Sequence, residues 1–139
     1  MPTIATKKDI ASLLVPLTRS LYRTMRNASP TCSFLEMKTL SIIDEHKSPS
    51  MKDIADELGI SSPATTALID RLIEDKAIIR TEDTTDRRMT RISLTHTGKK
   101  TFEETRKILY EAINIRVSIL SESEQKELAR ILQKLQSTK

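Results

Sequence analysis

Residues 50–91 constrain the fold of this chain more than any other stretch. Two short amphipathic segments flank Gly59, and two runs with partial β-type alternation, residues 78–82 and 91–95, follow the second segment without a spacer. A polar, charged loop over residues 83–89 lies between those runs. The stretch therefore predicts two short helices joined by a glycine turn and followed at once by a β-hairpin.

Capping signals set the limits of the two predicted helices. Ser50 and Asp53 form a capping-box pattern, which predicts a helix over residues 51–58. The second helix should start around Pro63, because proline is preorganised for the first helical turn and the donor it lacks would be unpaired there. It should stop around Lys76, just before the first strand.

The spacing of small and apolar residues indicates how these two helices contact each other. Ala55 allows a close approach, and Gly59 accepts the left-handed backbone of the turn. The side chains expected to face the core are apolar: Ile54, Leu58, Ile60 and Leu68. Thr65 falls on the same inner face, where its hydroxyl needs a partner. Together with the hairpin, these features predict a winged helix-turn-helix, an α+β unit within a mainly α chain.

The segments before and after this stretch are predicted to be long helices. They are expected over residues 7–27, from the capping box of Ser33 and Glu36 to about His46, over residues 97–119, and onward from the capping box of Ser121 and Glu124. Pro16 lies within the first helix, so we expect a kink there or a helix that starts late. The predicted division is an N-terminal helix and loop over residues 1–32, the winged helix-turn-helix over 33–96, and C-terminal helices over 97–139.

The composition favours a helical protein with a mild attraction for polyanions. The chain has 37% hydrophobic and 30% charged residues, a formal net charge of +4 and a pI near 9.3. Aromatic residues make up only 3%, so stacking of bases on aromatic side chains is not expected. There is no bilayer-spanning apolar run, no signal peptide is apparent, and Cys32 is the single cysteine. We therefore expect a cytoplasmic protein without a membrane partner.

The outward face of the second helix of the motif carries mostly small side chains. It comprises Ser61, Ser62, Pro63, Thr66, Ala67 and Asp70, with Arg71 beside it. Short hydroxyl side chains let a helix lie deep in a major groove, where they can bond base edges or phosphates. The alternative is a polar, solvent-facing helix with Arg71 as an ordinary surface charge.

The hairpin loop contains Asp86, Arg87 and Arg88, and Arg91 follows it. An arginine on a protruding loop suits a narrow minor groove, where the negative potential is enhanced. Asp86 is expected to pair with a nearby guanidinium, most simply that of Arg88, and so to fix the loop. On the loop alone, a solvated surface loop with a weak ion pair is an equally good interpretation.

These motifs resemble the MarR (multiple antibiotic resistance regulator) family of transcription regulators. The similarity is sharpest at LIDRL (68–72), DRR (86–88) and ISLTHTG (92–98), and it extends to LSESEQKELARILQKL (120–135). The resemblance implies a symmetric homodimer whose N- and C-terminal helices form the dimerisation domain. It also implies a pseudo-palindromic operator, with the second helix in the major groove and the wing arginine in the minor groove. Many members release DNA when a small phenolic or other ligand, or an oxidant, acts near the domain junction.

Carried over by residue, the resemblance makes Arg88 the wing-tip arginine, Asp86 its partner, and Ser62, Thr66 and Arg71 the helix contacts. The full predicted DNA-binding set is Ser61, Ser62, Pro63, Thr65, Thr66, Arg71, Asp86, Arg87, Arg88 and Arg91. The chain departs from the family pattern at Lys76-Ala77, where Gly-Leu usually ends the recognition helix, and at Ala67, which replaces a frequent polar or basic residue.

An effector pocket is expected between the first helices and the long helix after the wing. Its candidate lining residues, each of which could equally be a surface or core residue, are Tyr22, Arg23, Cys32 and Tyr110. The effector implied by the resemblance is a small aromatic or phenolic compound. Cys32 could sense oxidants, but no neighbouring cation lowers its pKa, which favours an inert thiol.

The sequence as a whole predicts a DNA-binding repressor that acts as a homodimer on double-stranded DNA. The alternative is a helical interaction module whose winged helix contacts protein, because residues 61–91 carry six basic and six acidic side chains. His46 and His96 lie far apart, and no nucleophile, phosphate loop or acid–base pair is apparent. No enzyme activity, metal or cofactor is therefore expected.

Overall fold

A computed structural model describes residues 6–28 and 31–137, and within them the chain forms six helices and one two-stranded sheet. In chain order the elements are α1 (Lys7–Ala28), α2 (Phe34–His46), α3 (Met51–Leu58), α4 (Ser62–Glu74), β1 (Ile78–Glu82), β2 (Thr90–Leu94), α5 (His96–Val117) and α6 (Glu122–Gln136). The strands are antiparallel, with Ile78 opposite Leu94 and Glu82 opposite Thr90. This order is that of the predicted mainly α fold with a winged helix-turn-helix.

The predicted capping boxes are confirmed at the starts of α2, α3 and α6. In each, the capping serine accepts a hydrogen bond from the third backbone amide of the helix, and the acidic residue there accepts one from the serine amide. These bonds satisfy donors that a helix start leaves unpaired. Local sequence therefore determines where these helices begin.

Pro16 lies inside α1, which runs without interruption from Lys7. The alternative of a late helix start is therefore wrong. Asp9 explains the early start, because its carboxylate accepts hydrogen bonds from the Thr6 amide and hydroxyl at 2.8 and 2.6 Å. This cap opens the helix well before the proline.

The hydrophobic core lies where α2, α3, α4, α5 and the sheet meet. Its most deeply buried large side chains are Leu40, Ile43, Ile54, Ile69, Ile78 and Ile92. Helix α4 packs against α3 and β1, and α2 packs against α3, α5 and β2. The backbone amide of Ile92 donates to the Pro49 carbonyl at 2.9 Å, which fastens the wing to the segment that leads into α3.

The end of α4 is well formed although it lacks the usual glycine. Lys76 takes the left-handed conformation, with φ of 58°. Its amide donates to the Ile73 carbonyl and the Ala77 amide donates to the Leu72 carbonyl, both at 2.9 Å. This pair of bonds is the Schellman pattern that closes a helix C-terminus. The departure at Lys76-Ala77 therefore leaves the helix stop intact, with a lysine in the position that glycine occupies most easily.

The start of α5 is built directly on this helix stop. The Thr95 hydroxyl accepts the Gly98 amide at 2.9 Å and lies 2.5 Å from the Lys76 carbonyl oxygen, to which it donates. The Thr95 amide donates to the Ala77 carbonyl at 3.0 Å. Gly98 packs so closely on Ala77 that a Cβ at position 98 would lie 1.8 Å from the Ala77 carbonyl oxygen. One glycine contact therefore joins the end of α4 to the start of α5.

The terminal helices leave their apolar stripes uncovered within one chain. In α1 the side chain of Leu13 is 68% exposed and only Met25 is buried, and α6 buries none of its residues. Leu132 and Leu135 of α6 are also exposed. Much of each apolar stripe therefore has no packing partner within the described part of one chain. No helix in the described part of the chain is long and apolar enough to cross a membrane.

Candidate nucleic-acid interface

Helix α4 presents a face of small side chains to solvent. Ser61 caps the helix by accepting the Ala64 amide at 3.3 Å, and Gly59 closes α3 in the left-handed conformation, with φ of 66°. The predicted outward residues Ser62, Pro63, Thr66, Ala67 and Asp70 are all exposed. Their side chains are short, so an approaching surface could come close to the helix backbone.

Thr65 occupies the predicted inner face and cannot belong to this surface. Its side chain is 1% exposed, and its hydroxyl donates to the Ser61 carbonyl at 3.0 Å. The hydroxyl therefore has the partner that burial demands. Its place in the predicted DNA-binding set is wrong, because no surface on this side could reach it.

Arg71 points toward α2 rather than along the outward face of α4. Its Nε lies 2.9 Å from Oε1 of Glu36, a carboxylate that is almost fully buried. The Arg71 side chain stays 65% exposed, so only part of the guanidinium is engaged. The sequence gives no sign of this pair, because the two residues lie on different helices far apart in the chain.

The wing loop is organised by Asp83, which sequence reasoning missed. Its carboxylate accepts hydrogen bonds from the Thr85 hydroxyl at 2.6 Å, the Thr85 amide at 2.8 Å, the Asp86 amide at 3.0 Å and Arg91 Nε at 2.6 Å. These bonds, that of the Thr85 hydroxyl first and that of Arg91 next, hold the pKa of Asp83 far below its usual range. The Asp-Thr-Thr run could have indicated this, since aspartate often bonds backbone amides two residues on.

Two predicted roles in the wing are corrected by this arrangement. Arg91 is bound to Asp83 and about one-third exposed, so it supports the wing and is not a free cation. Asp86 accepts the backbone amide of Arg88 at 3.0 Å, and the predicted pair with the Arg88 guanidinium is wrong. In residues 6–28 and 31–137 neither Arg87 nor Arg88 forms an ion pair, and both are exposed. The wing tip therefore offers two arginines on an ordered loop.

Replacing Asp83 with asparagine is expected to loosen the wing. Asparagine keeps one acceptor oxygen but loses the charge that holds Arg91, so amides of residues 83–89 should exchange faster with solvent. Because folding lowers the pKa of Asp83, the wild-type contribution is fully present above the unfolded value of about 3.9 and declines only as pH falls toward the folded value. The measurement is hydrogen exchange at pH 5 to 7. Asp86→Asn, which touches one amide only, is the control, and equal protection in both variants would contradict this role.

Lys52 connects the two parts of this surface, and it was not predicted as a site residue from the sequence. One shallow concavity is lined by Lys52, Arg88 and Thr90, and a second by Lys52, Ser62 and Thr66. Lys52 is exposed, and no residue in the described part of the chain forms an ion pair with it. We call the outward face of α4, Lys52 and the two wing-tip arginines the recognition surface.

A separate apolar cavity of about 600 Å³ lies between α1, the start of α2 and α5. It is lined by Val15, Thr18, Arg19, Leu21, Tyr22, Met25, Phe34, Leu109 and Ile113. The rings of Tyr22 and Phe34 meet edge to face, with centroids 5.5 Å apart. The cavity lies in the region where the effector pocket was expected, between the first helices and the long helix after the wing.

Of the four residues predicted to line this cavity, only Tyr22 does so. Arg23 and Tyr110 are exposed elsewhere, and Cys32 is buried beside Glu36 and Asp75. Burial raises the pKa of the Cys32 thiol, and the Glu36 and Asp75 carboxylates add to the effect. This environment favours the inert thiol over a redox sensor.

An exposed helix of small side chains beside an ordered basic hairpin defines the chain as a winged helix-turn-helix protein. The chain belongs to the MarR family, whose family model matches residues 33–90. The repressor MdtR of Bacillus subtilis is 32% identical over 100 residues, which cover 72% of this chain and 64% of that protein. The matched segments span 44 to 64% of the length of the curated relatives.

Solved structures agree over almost the whole chain. The YusO protein from Bacillus subtilis is 28% identical, with 95% of each chain covered and a TM-score of 0.78. A point mutant of MepR from S. aureus, solved bound to an oligodeoxyribonucleotide, is 26% identical, with 93% of this chain and 96% of that chain covered and a TM-score of 0.69.

Proposed function

We propose that this chain is a sequence-specific DNA-binding transcriptional regulator that represses its targets as a homodimer. The observation that carries this proposal is the recognition surface itself. Small hydroxyl side chains on α4 suit the major groove, and Arg88 on the wing suits the adjacent minor groove. The repressor function of MdtR and the DNA-bound MepR mutant support the proposal by similarity.

The charges of the winged helix indicate how this surface would select its DNA. Arg71, Arg80 and Arg91 are engaged by Glu36, Asp70 and Asp83, respectively. The wing-tip arginines and Lys52 remain for contact with DNA. Specificity would therefore depend on a few placed groups more than on bulk attraction.

A protein-binding role for the winged helix is less well supported. Protein interfaces use aromatic and large apolar side chains as anchors. The outward face of α4 exposes none, since its exposed residues are serine, proline, threonine, alanine and aspartate. The exposed apolar side chains near it, Ile79 and Met89, lie on the hairpin.

The proposed homodimer would cover the apolar stripes of α1 and α6. Two-fold symmetry would then present two recognition surfaces to successive major grooves. Light scattering should give twice the mass of the 15.8 kDa chain. A monomer at micromolar concentration would contradict this part of the proposal.

Direct titration tests the proposed function. Fluorescence anisotropy with labelled duplexes that tile the DNA upstream of its own gene should identify one fragment bound about a thousandfold more tightly than scrambled duplex. The affinity should fall steeply between two salt concentrations. Equal affinity for all duplexes would contradict sequence-specific regulation, and no binding to any duplex would favour the protein-binding alternative.

Lys52→Ala should weaken DNA binding without changing sequence preference. Lys52 lies between α4, proposed for the major groove, and the wing, proposed for the minor groove, so it is placed to neutralise a backbone phosphate. Its loss should reduce the slope of log affinity against log salt by about 1 per site. The measurement is anisotropy over a range of salt. Lys100→Ala, which removes an exposed lysine of α5, is the matched control, and an unchanged slope in Lys52→Ala would contradict the assignment.

We further propose that the apolar cavity binds a small aromatic effector that releases the DNA. Its apolar lining and the Tyr22–Phe34 ring pair suit a flat aromatic group. Benzoate is the probe, and it should raise the melting temperature of the wild type and of Tyr110→Ala, whose side chain lies outside the cavity. Tyr22→Ala should show a smaller shift. Equal shifts in all three proteins would place the binding elsewhere.

A further inference from the structure

We propose that Glu36 is a positioning residue that holds the recognition helix α4 through Arg71. The inference has two tests. The DNA titration rests on the proposed DNA-binding function, and hydrogen exchange on the free protein does not. It changes the role of Arg71, which the family resemblance makes a DNA contact. In this assignment Arg71 touches Glu36 and sets the placement of Ser62 and Thr66.

The carboxylate of Glu36 is shared between two structural tasks. Its Oε2 accepts the Ser33 amide at 2.7 Å, which closes the capping box of α2. Its Oε1 lies 2.9 Å from Arg71 Nε. Glu36 is 2% exposed, so water has little access to its carboxylate, while the Arg71 side chain remains 65% exposed. A single buried group therefore ties the first turn of α2 to the body of α4.

Consecutive residues hold α4 from two sides. Asp70 pairs with Arg80 of β1 at 2.6 Å, and Arg71 pairs with Glu36 of α2. The first pair is exposed on both partners, and exposed pairs contribute little. The second has a buried carboxylate, and leaving such a group unpaired is costly. The Glu36–Arg71 pair is therefore the stronger constraint on α4.

The same turn of α2 forms part of the apolar cavity. Phe34, two residues before Glu36, lines the cavity and contacts the Tyr22 ring. A displacement of this turn would move Glu36 and change its contact with Arg71. The pair therefore makes the placement of the recognition helix depend on the state of the cavity wall.

The test is a double-mutant cycle with Glu36→Gln, Arg71→Ala and the combined variant. Glutamine can still accept the Ser33 amide, so the α2 cap is retained. Each single variant should bind the specific duplex about tenfold more weakly, the size of one lost charged hydrogen bond. The combined variant should be no weaker than the weaker single variant, because both changes remove the same interaction.

Two further features of the titration separate positioning from direct contact. Affinity for scrambled duplex and the salt slope should stay unchanged, since no phosphate contact is lost. A general loss of folded protein would instead weaken both duplexes equally. Additive losses, or a salt slope reduced by about 1 in Arg71→Ala, would show that Arg71 contacts DNA itself and would overturn the proposal.

Hydrogen exchange on the free protein provides a readout that needs no DNA. Amides of α4 should exchange faster in Glu36→Gln and Arg71→Ala than in the wild type. Glu57→Gln, which removes the carboxylate charge from the exposed 2.8 Å contact with His46, is the control and should leave α4 unchanged. If the wild type binds no duplex, the proposed function fails while this measurement still tests the pair. Unchanged exchange in α4 would overturn the proposal.

Discussion

Gly98→Ala should lower the free energy of unfolding by about 3 kcal/mol, because the added methyl group would overlap the backbone. The new Cβ would lie 1.8 Å from the Ala77 carbonyl oxygen and 2.7 Å from its carbon. No side-chain rotation relieves a clash with backbone atoms. Moving the Ala77 carbonyl would also strain its hydrogen bond with the Thr95 amide.

The direction of this effect opposes what helix propensity predicts. Gly98 lies in the first turn of α5, and alanine in place of a helical glycine usually stabilises by about 1 kcal/mol. The steric conflict is larger, so destabilisation should dominate. Urea unfolding at a fixed protein concentration is the measurement, since dimerisation would make stability depend on concentration.

Gly59→Ala is the matched control for this substitution. Gly59 has φ of 66° and open space around the position of a Cβ, so alanine there meets only the left-handed backbone penalty of about 1 kcal/mol. The two glycines thus separate a packing role from a conformational one. If Gly98→Ala lost no more stability than Gly59→Ala, the close contact between α5 and Ala77 would not have the importance assigned to it.

Arg88→Ala should reduce the affinity for the specific duplex by about 1–3 kcal/mol if Arg88 enters the minor groove as proposed. This corresponds to a factor of about ten to a hundred in Kd. The side chain forms no ion pair within the described residues, while Asp86 and Asp83 hold its loop. Little folding stability should therefore be lost, and anisotropy at constant salt measures the change.

Changing the base pairs that the wing would contact provides a second test of this prediction. A narrow A·T-rich minor groove attracts arginine, so replacing A·T by G·C pairs there should weaken wild-type binding. Arg88→Ala should be much less sensitive to that replacement. Lys100→Ala, with the same loss of charge on α5, is the control. Affinity and salt slope that stay at wild-type values in Arg88→Ala would refute the wing assignment.

The corrections to the site have a common physical origin. The motif assigns Arg71 and Arg91 to DNA, but Arg71 pairs with Glu36 and Arg91 pairs with Asp83. The motif pairs Asp86 with the Arg88 guanidinium, whereas its carboxylate accepts the Arg88 backbone amide. A motif gives the type and order of residues, but the partner of a long charged side chain depends on elements brought together by folding. Arg71 illustrates this best, because Glu36 lies on another helix and carries its own capping signal.

The sequence by itself determined the elements of this protein. Capping boxes, Gly59, Pro63 and the alternation of the two strands are local signals, so the helix starts, the turn and the hairpin followed from nearby residues. The inner and outer faces of α4 followed from helical periodicity, which placed Thr65 inside and Thr66 outside.

Only the tertiary structure decided which charges remain available and how α4 is held. The Asp83 network, the Glu36–Arg71 pair and the contact of Gly98 with Ala77 join groups whose meeting depends on the folded backbone. The hydrogen bonds that Thr95 donates to the Lys76 and Ala77 carbonyls join the end of α4 to the start of α5. Periodicity and capping act over a few residues, whereas these contacts depend on the relative placement of whole helices, and the chain order alone does not encode that placement in any local pattern.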